Sequence, residues 1–412
     1  MLSAAAGRSP DGAKRNPGSD DPIDDHNNGE AAPGFRCAPS GLQGHEASVK
    51  VAVAGGGAGG AAAVAELVSA GHQVRFWSRS QETLAPFQEQ AGVAFDGMMG
   101  SGLAKPGLMT CDLAEATDGA DLVLICVPTL AHKEVAHALA RSRSRVPIVL
   151  NPGHTGGALE VRQTFIASQC DPPPIAEFST LTYVARKYTK ARVTITGKAK
   201  SVRLAAMPGG EKAAELAKLL FPAARPVSDV LACDLANVNM VLHIPGAVLG
   251  AAWVEATGGD FFFYVQGMTG GVARIMRALD DERRAVARAF NHELPSLTAE
   301  MQAIGTVEKS TPDIEDFVSA ISSGEANRRI KAPNSLRHRY YQEDFCYGLL
   351  PFTVIARIGS VDVPVANALL QIGRVLIGFD PAATGRTAER MGIAELDRDG
   401  LLRLIGAQRH GG

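Results

Sequence analysis

From Val49 onward, apolar residues fall into short unbroken runs separated by stretches of helical periodicity. The first run is Val51-Ala52-Val53-Ala54, followed by Gly55-Gly56-Gly57-Ala58-Gly59-Gly60 and an alanine-rich segment. A second strand, from about Gln73, ends in Phe76-Trp77-Ser78-Arg79-Ser80. Apolar side chains at successive positions suit a parallel strand covered on both faces. The order therefore predicts strand, glycine turn, helix, strand. Leu122 to Val127 predicts another strand, broken by Pro128-Thr129, with a helix over Leu130–Arg141 and a further strand over Val146–Leu150. The latter ends in Asn151-Pro152-Gly153-His154-Thr155-Gly156-Gly157, and loops at such strand ends line the ligand crevice of open parallel sheets. Arg192–Gly197 and Val202–Met207, joined through Lys198-Ala199-Lys200-Ser201, predict an antiparallel hairpin finishing this half.

From about Asp229 the periodicity becomes helical, with segments expected over Val241–Glu255, Val272–Glu293, Asp313–Ser322, Asp344–Ile358, Pro364–Ile377 and from Thr387 onward. Gly385 to Arg390 reads as the cap and start of the final helix. The fold class is α/β: a doubly wound, parallel-sheet Rossmann domain over residues 49–228, then an all-helical substrate domain over 229–412. The first 48 residues are dense in Gly, Pro, Asp, Asn and Ser, without apolar periodicity, and read as a disordered tail with neither a secretory core nor transit-peptide character.

Composition narrows the classes. At 412 residues, 46% hydrophobic and with a formal charge of −2, the chain is a globular protein without the basic excess that nucleic acid or an anionic membrane would call for. The six cysteines lack CxxC or other metal-ligand spacing, so neither a metal site nor a disulfide framework is expected, and a reducing cytoplasm is the expected compartment. The apolar stretch from Val238 to Val254 is interrupted by His243 and Pro245 and reads as a buried helix rather than a membrane span. An apolar helical domain is compatible with a homodimer.

Gly55, Gly57 and Gly60 stand in G-x-G-x-x-G spacing directly after the first strand. This is the arrangement that makes a tight turn, lets backbone N–H groups approach a pyrophosphate and packs the following helix on the strand. Gly55, Gly57, Ala58, Gly59 and Gly60, with Val127 and Pro128 after the next strand, are the expected dinucleotide contacts. An NAD site places an acidic residue at the end of the second strand. Here Ser78, Arg79 and Ser80 stand instead, a set suited to a 2′-phosphate, so NADP(H) is favoured with NAD(H) as the alternative.

In the helical half, Asn237-Val238-Asn239-Met240-Val241-Leu242-His243-Ile244-Pro245-Gly246 sets one histidine in an apolar helix, with Asn239 one turn earlier on the same face. Alone, such a histidine is more often a satisfied core residue. Arg337 to Leu349 brings charges ahead of an apolar helix and puts Asp344 in its first turn, where a carboxylate serves equally as a simple cap. Phe261 to Tyr264 reads as core. Together, GGGAGG, NPGHTGG, EFSTLTYVARK, NVNMVLHIPG and RYYQEDFCYGLLP, in this order, resemble the NAD(P)-dependent opine dehydrogenases of the octopine/nopaline type, from about Val49 to the last helix.

That resemblance implies a Rossmann domain joined to a helical domain with the active site between them. It also implies reductive condensation of an amino acid's amine with a 2-oxo acid, the small-molecule partners expected here. It makes His243 the catalytic histidine, Asp344 its paired carboxylate and Arg339 a substrate-anchoring arginine, with Asn239 beside them. His154 is either a nicotinamide neighbour or an exposed loop residue, and Thr180, Tyr183 and Arg186 are candidates for the cleft. Two other readings stand beside this one. A ketopantoate or glycerol-3-phosphate reductase would use a lysine in the helical domain, yet none occurs between Lys218 and Lys309. A non-catalytic NADP(H)-binding sensor would keep the fold without turnover.

Overall fold

The computed structural model describes residues 48–325 and 327–407. The tail expected to be disordered, Ser48 apart, lies outside them. The strands are β1 (Lys50–Ala54), β2 (Gln73–Trp77), β3 (Val93–Gly97), β4 (Gly102–Ala104), β5 (Leu108–Thr110), β6 (Leu122–Ile125), β7 (Ile148–Leu150), β8 (Ile175–Phe178), β9 (Tyr183–Arg186), β10 (Arg192–Lys198), β11 (Val202–Ala206) and β12 (Ala224–Pro226). Eight form one sheet in the order β12-β11-β8-β7-β6-β1-β2-β5, parallel from β8 to β5, with β11 antiparallel to β8 and parallel to β12. The chain runs from β1 outward to β2, then crosses back to β6 on the other side. The strand order thus reverses at β1/β6, where such sheets open a crevice at their carboxyl ends.

The strand pair expected as a hairpin is no hairpin. β10 pairs with β3 and β9 in a second, four-stranded sheet of order β4-β3-β10-β9, whereas β11 belongs to the main sheet. The connection is anchored rather than folded back: the Ala199 N–H donates to Thr182 O and the Lys200 N–H to Ile304 O. It also contains no Gly or Asn to enter the positive-φ conformations of a two-residue hairpin turn.

Successive residues of the central strands face opposite ways, and the core divides accordingly. Val51, Val53, Leu122 and Leu124 pack with the Ala58–Ser69 helix and the second sheet. Ala52, Ala54, Val123 and Ile125 belong to the same apolar cluster as Met240, Val241 and Phe345 of the helical half. One face of the sheet is therefore continuous with the helical core.

After Pro226 the described chain is helical. The expected Val241–Glu255 helix is two, Asn239–Leu249 and Ala251–Thr257, bent by 66°. Pro245 inside the first removes a backbone donor, and Gly250 at the joint ends it. Among the described residues no single helix is long and apolar enough to cross a membrane. The final helix expected from Thr387 onward is two short ones, Ala388–Met391 and Arg398–Leu404, preceded by a separate turn of helix at Pro381–Thr384, and Thr387 caps the first of the two by accepting from the Arg390 N–H.

Candidate active site

The glycine loop is shaped by contact. A Cβ on Gly55, whose φ is +139°, would meet Cys126 O at 2.6 Å, so β1 and the residue after β6 close on one another. A Cβ on Gly60 would stand 1.8 Å from Gly55 O, which is why the helix can approach the strand. At Gly57 nothing lies within 4 Å. That residue caps the Ala58–Ser69 helix without a side chain, leaving the first-turn N–H groups of Ala58, Gly59 and Gly60 to face an open space where an anion is favoured. A dinucleotide pyrophosphate fits this geometry.

The space is a cleft of about 1110 Å³, lined among others by Gly55, Gly57, Ser78, Arg79, Ser80, Val127 and Pro128. Arg79 is exposed and paired with Glu134 across the mouth. Ser80 caps the next helix by accepting from the Thr83 N–H, which leaves its O–H, with Ser78 and Arg79, available to a ligand. Two further cations line the cleft that the sequence reading did not single out, Arg141 and Lys187. Lys187 donates to Gly56 O at 3.2 Å and lies over the Phe87 ring, and its partial burial lowers its pKa. It is the last residue of EFSTLTYVARK, and only the positive charge beside a glycine loop could have flagged it.

The histidine pair sits beyond the Pro128 end of this cleft. His243 Nδ1 lies 2.7 Å from Asp344 Oδ2, and both side chains are buried. Because a carboxylate only accepts, Nδ1 carries the hydrogen and Nε2 is the nitrogen left to act. The Tyr340 ring stacks on the imidazole at 3.9 Å between centroids, and the Tyr340 hydroxyl meets that of Tyr264 at 3.2 Å. Asp344 is not in the first turn of a helix. It ends the Arg339–Asp344 helix and passes directly into a π-helical turn, Phe345–Leu349, and then Leu350–Ile358. Its charge answers His243 rather than a helix terminus, and π turns of this kind recur at functional sites.

Arg339 begins that helix, exposed, with its guanidinium 5.8 Å from the Tyr340 ring centre. Burial of part of the group works against its charge, but Tyr340, Glu343, Asp344 and Tyr264 outweigh this and raise its pKa. Asn239 opens the Asn239–Leu249 helix, half-buried, and its N–H donates to Asn237 Oδ1. Arg186 is exposed and near enough to Tyr340 to act on its hydroxyl electrostatically. Thr180 is half-buried between β8 and β9. Tyr183 is not a cleft residue: its ring is buried edge-on to Phe221, and its hydroxyl is turned toward Glu66.

His154 is not an exposed loop residue. It is buried, with Nδ1 at 3.1 Å from Asn237 Nδ2 and Nε2 at 3.9 Å from Glu343 Oε1, and burial lowers its pKa despite Glu343 and Asp344. Its loop is held from beneath by Arg386. That wholly buried guanidinium binds Glu160 at 2.8 Å, the carbonyls of Gly153 and Thr155 at 3.0 and 2.9 Å, and His132 Nδ1 at 2.9 Å. Under the same loop, Glu177 Oε2 accepts from the Ala158 N–H.

Comparison with known proteins places this arrangement. Residues 226–377 match the family model described as NAD/NADP octopine/nopaline dehydrogenase, alpha-helical domain, and residues 50–151 match NADP oxidoreductase coenzyme F420-dependent. An opine dehydrogenase of Arthrobacter sp. (strain 1C) is 31% identical over 353 residues, 85% of this chain and 97% of that protein. The chain belongs to the opine dehydrogenase family. It is an NAD(P)-dependent oxidoreductase, and its reaction class is the family's, reductive condensation of an amino acid with a 2-oxo acid. Among solved folds, octopine dehydrogenase with NADH and L-arginine superimposes with a TM-score of 0.71 at 21% identity, covering 89% of this chain and all (100%) of that one. Yersinopine dehydrogenase with NADP+ bound gives 0.68 at 15% identity, over 85% and 98%. This opine dehydrogenase relative therefore shares with them its parallel sheet followed by a helical domain.

Proposed function

We propose that the protein uses NADPH in preference to NADH to reduce the imine formed between an amino acid's amine and a 2-oxo acid, with His243 as the acid–base group. The observation that carries this reading is the buried 2.7 Å His243–Asp344 contact, which leaves Nε2 free to protonate or polarise the reacting C=O or C=N bond. Asp344 orients the ring and supports the imidazolium as it forms. Arg339, for which no carboxylate partner is found among the described residues, clamps a substrate carboxylate, and Asn239 lies one turn before His243 on the same helix. The glycine loop would hold the cofactor, which when bound would supply the hydride. Ser78, Arg79 and Lys187, which line the cleft beside the glycine loop, suit a 2′-phosphate.

The test is oxidation of NADPH with amino acids paired against 2-oxo acids, for the wild-type protein and His243→Asn. Oxidation should require both partners, and the variant should lose roughly 10²- to 10⁴-fold in kcat, the range of a general acid–base group, while still binding NADPH. Oxidation with the oxo acid alone would instead assign a simple oxo-acid reductase.

A further inference from the structure

Glu343 and Asp344 are consecutive in one helix, so their side chains leave it about 100° apart. Asp344 serves His243. Glu343, buried beside it, turns to the Rossmann side: Oε1 accepts from the Thr129 N–H at 2.9 Å and faces His154 Nε2 at 3.9 Å. Thr129 follows Pro128 in the loop after β6, and His154 belongs to the loop after β7. Pro128 lines the cleft, and β7 is the next strand along the sheet, away from the glycine turn.

The tautomer of His154 follows from its other neighbour. Asn237 Oδ1 is occupied by the Asn239 N–H at 3.1 Å, so the Asn237 NH₂ group is the one that meets His154 Nδ1. Nδ1 is therefore an acceptor, and the ring hydrogen sits on Nε2, aimed at the Glu343 carboxylate. Asn237 itself stands two residues ahead of the helix that carries His243. Both ends of the imidazole are thus engaged by the helical half, one by Asn237 and one by Glu343.

We infer that Glu343 is a positioning residue, a cross-domain latch whose single carboxylate holds the loops after β6 and β7 in register with the Asp344–His243 pair. The inference rests on the reading of His243 given above. A shift of this helix moves Asp344, Arg339 and the two cofactor-side loops together, so the distance between the reduced carbon and the hydride donor is set through Glu343.

Glu343→Gln keeps an oxygen for the Thr129 N–H but replaces the charge facing His154 with an amide. In the full-length protein, with the substrate pair that the wild type turns over, kcat should fall about tenfold to hundredfold, the scale of a small misplacement of reacting groups. The KM for NADPH and the thermal midpoint should stay near wild type. With NADPH deuterated at the transferred position, the isotope effect on kcat should rise, and Glu343→Asp should recover part of the rate. Wild-type kcat in Glu343→Gln, or a lowered midpoint with unchanged kcat and isotope effect, overturns the inference. A readout independent of turnover is long-range ¹⁵N NMR of the wild-type histidines: His154 must show the Nε2–H tautomer, and Nδ1–H overturns the latch. His243→Asn run alongside separates the two ideas. Undiminished turnover there sinks the acid–base assignment, whatever Glu343→Gln does.

Discussion

At the scale of single residues, charge is what the interior of this protein must justify, and each buried charge has a specific partner. Asp234 and Glu177 are the exception that produces a measurable effect. As carboxylates both are acceptors, and beyond the Gly156 N–H at Asp234 their facing oxygens find no donor until a proton is shared between them. Burial raises the pKa of both, with the neighbouring carboxylate adding to the rise at Glu177, and Asp234 is pushed up to about 7. The unfolded chain gives up this proton near the ordinary value of 3.8, so the pair's stabilising contribution is whole below that point and is lost as pH climbs to about 7. Asp234→Asn should therefore remove part of the decline in stability between about pH 5 and about pH 7.5, read by urea unfolding at both. Arg79→Ala should raise the KM for NADPH roughly 10- to 100-fold, the loss of one charged hydrogen bond, and leave that for NADH nearly unchanged. Equal effects on both cofactors would remove Arg79 from the 2′-phosphate site. Of these residues only Arg79 was legible in the sequence, because it follows a strand end of known purpose. Glu177, Asp234 and Glu343 carry no periodic signal, and what they face is set by chain brought in from far away.

Among the elements, the glycine turn was readable almost to the residue because its geometry leaves so few alternatives. Gly60→Ala puts a methyl 1.8 Å from Gly55 O and should lower the thermal midpoint as well as abolish NADPH binding. Gly57→Ala meets no protein atom within 4 Å, so it should leave the midpoint alone and weaken only the cofactor, as measured by fluorescence titration. The second sheet was not readable. β4 is only 3 residues long, and β10 resembles the first arm of a hairpin until its partners are seen to be β3 and β9. Pairing is a long-range choice, and an apolar alternation predicts a strand without naming its neighbour. The helix of His243 was foreseen as a unit, but its 66° bend was not, although Pro245 and Gly250 were both in view. The pairing of His243 with Asp344, 101 residues apart, was legible only through resemblance to a family.

For the whole molecule, the division into a sheet half and a helical half followed from the change of periodicity near Asp229, but the way the halves are joined did not. One apolar cluster runs from Ala52 and Ile125 of the sheet to Phe345 and Phe352 of the helical half. Among the polar contacts across it, Arg386 contributes a buried ion pair with Glu160 and three further bonds, two of them to carbonyls of the loop from Asn151 to Gly157. Gly385 to Arg390 reads in sequence as the cap and start of a helix, which Thr387 provides, and nothing in that local pattern marks Arg386 for its distant partners. Arg386→Ala leaves Glu160 buried and unpaired and should cost about 3–5 kcal/mol, measured by denaturant unfolding.

Arg386 also has a consequence in time. The last strand of the sheet ends at Pro226, yet the loop at its ligand-bearing edge is completed by a residue far downstream. On the ribosome, the nucleotide-binding half cannot set its His154 loop with these bonds until Arg386 has followed it out. The geometry of that loop therefore waits on a residue outside the half to which it belongs.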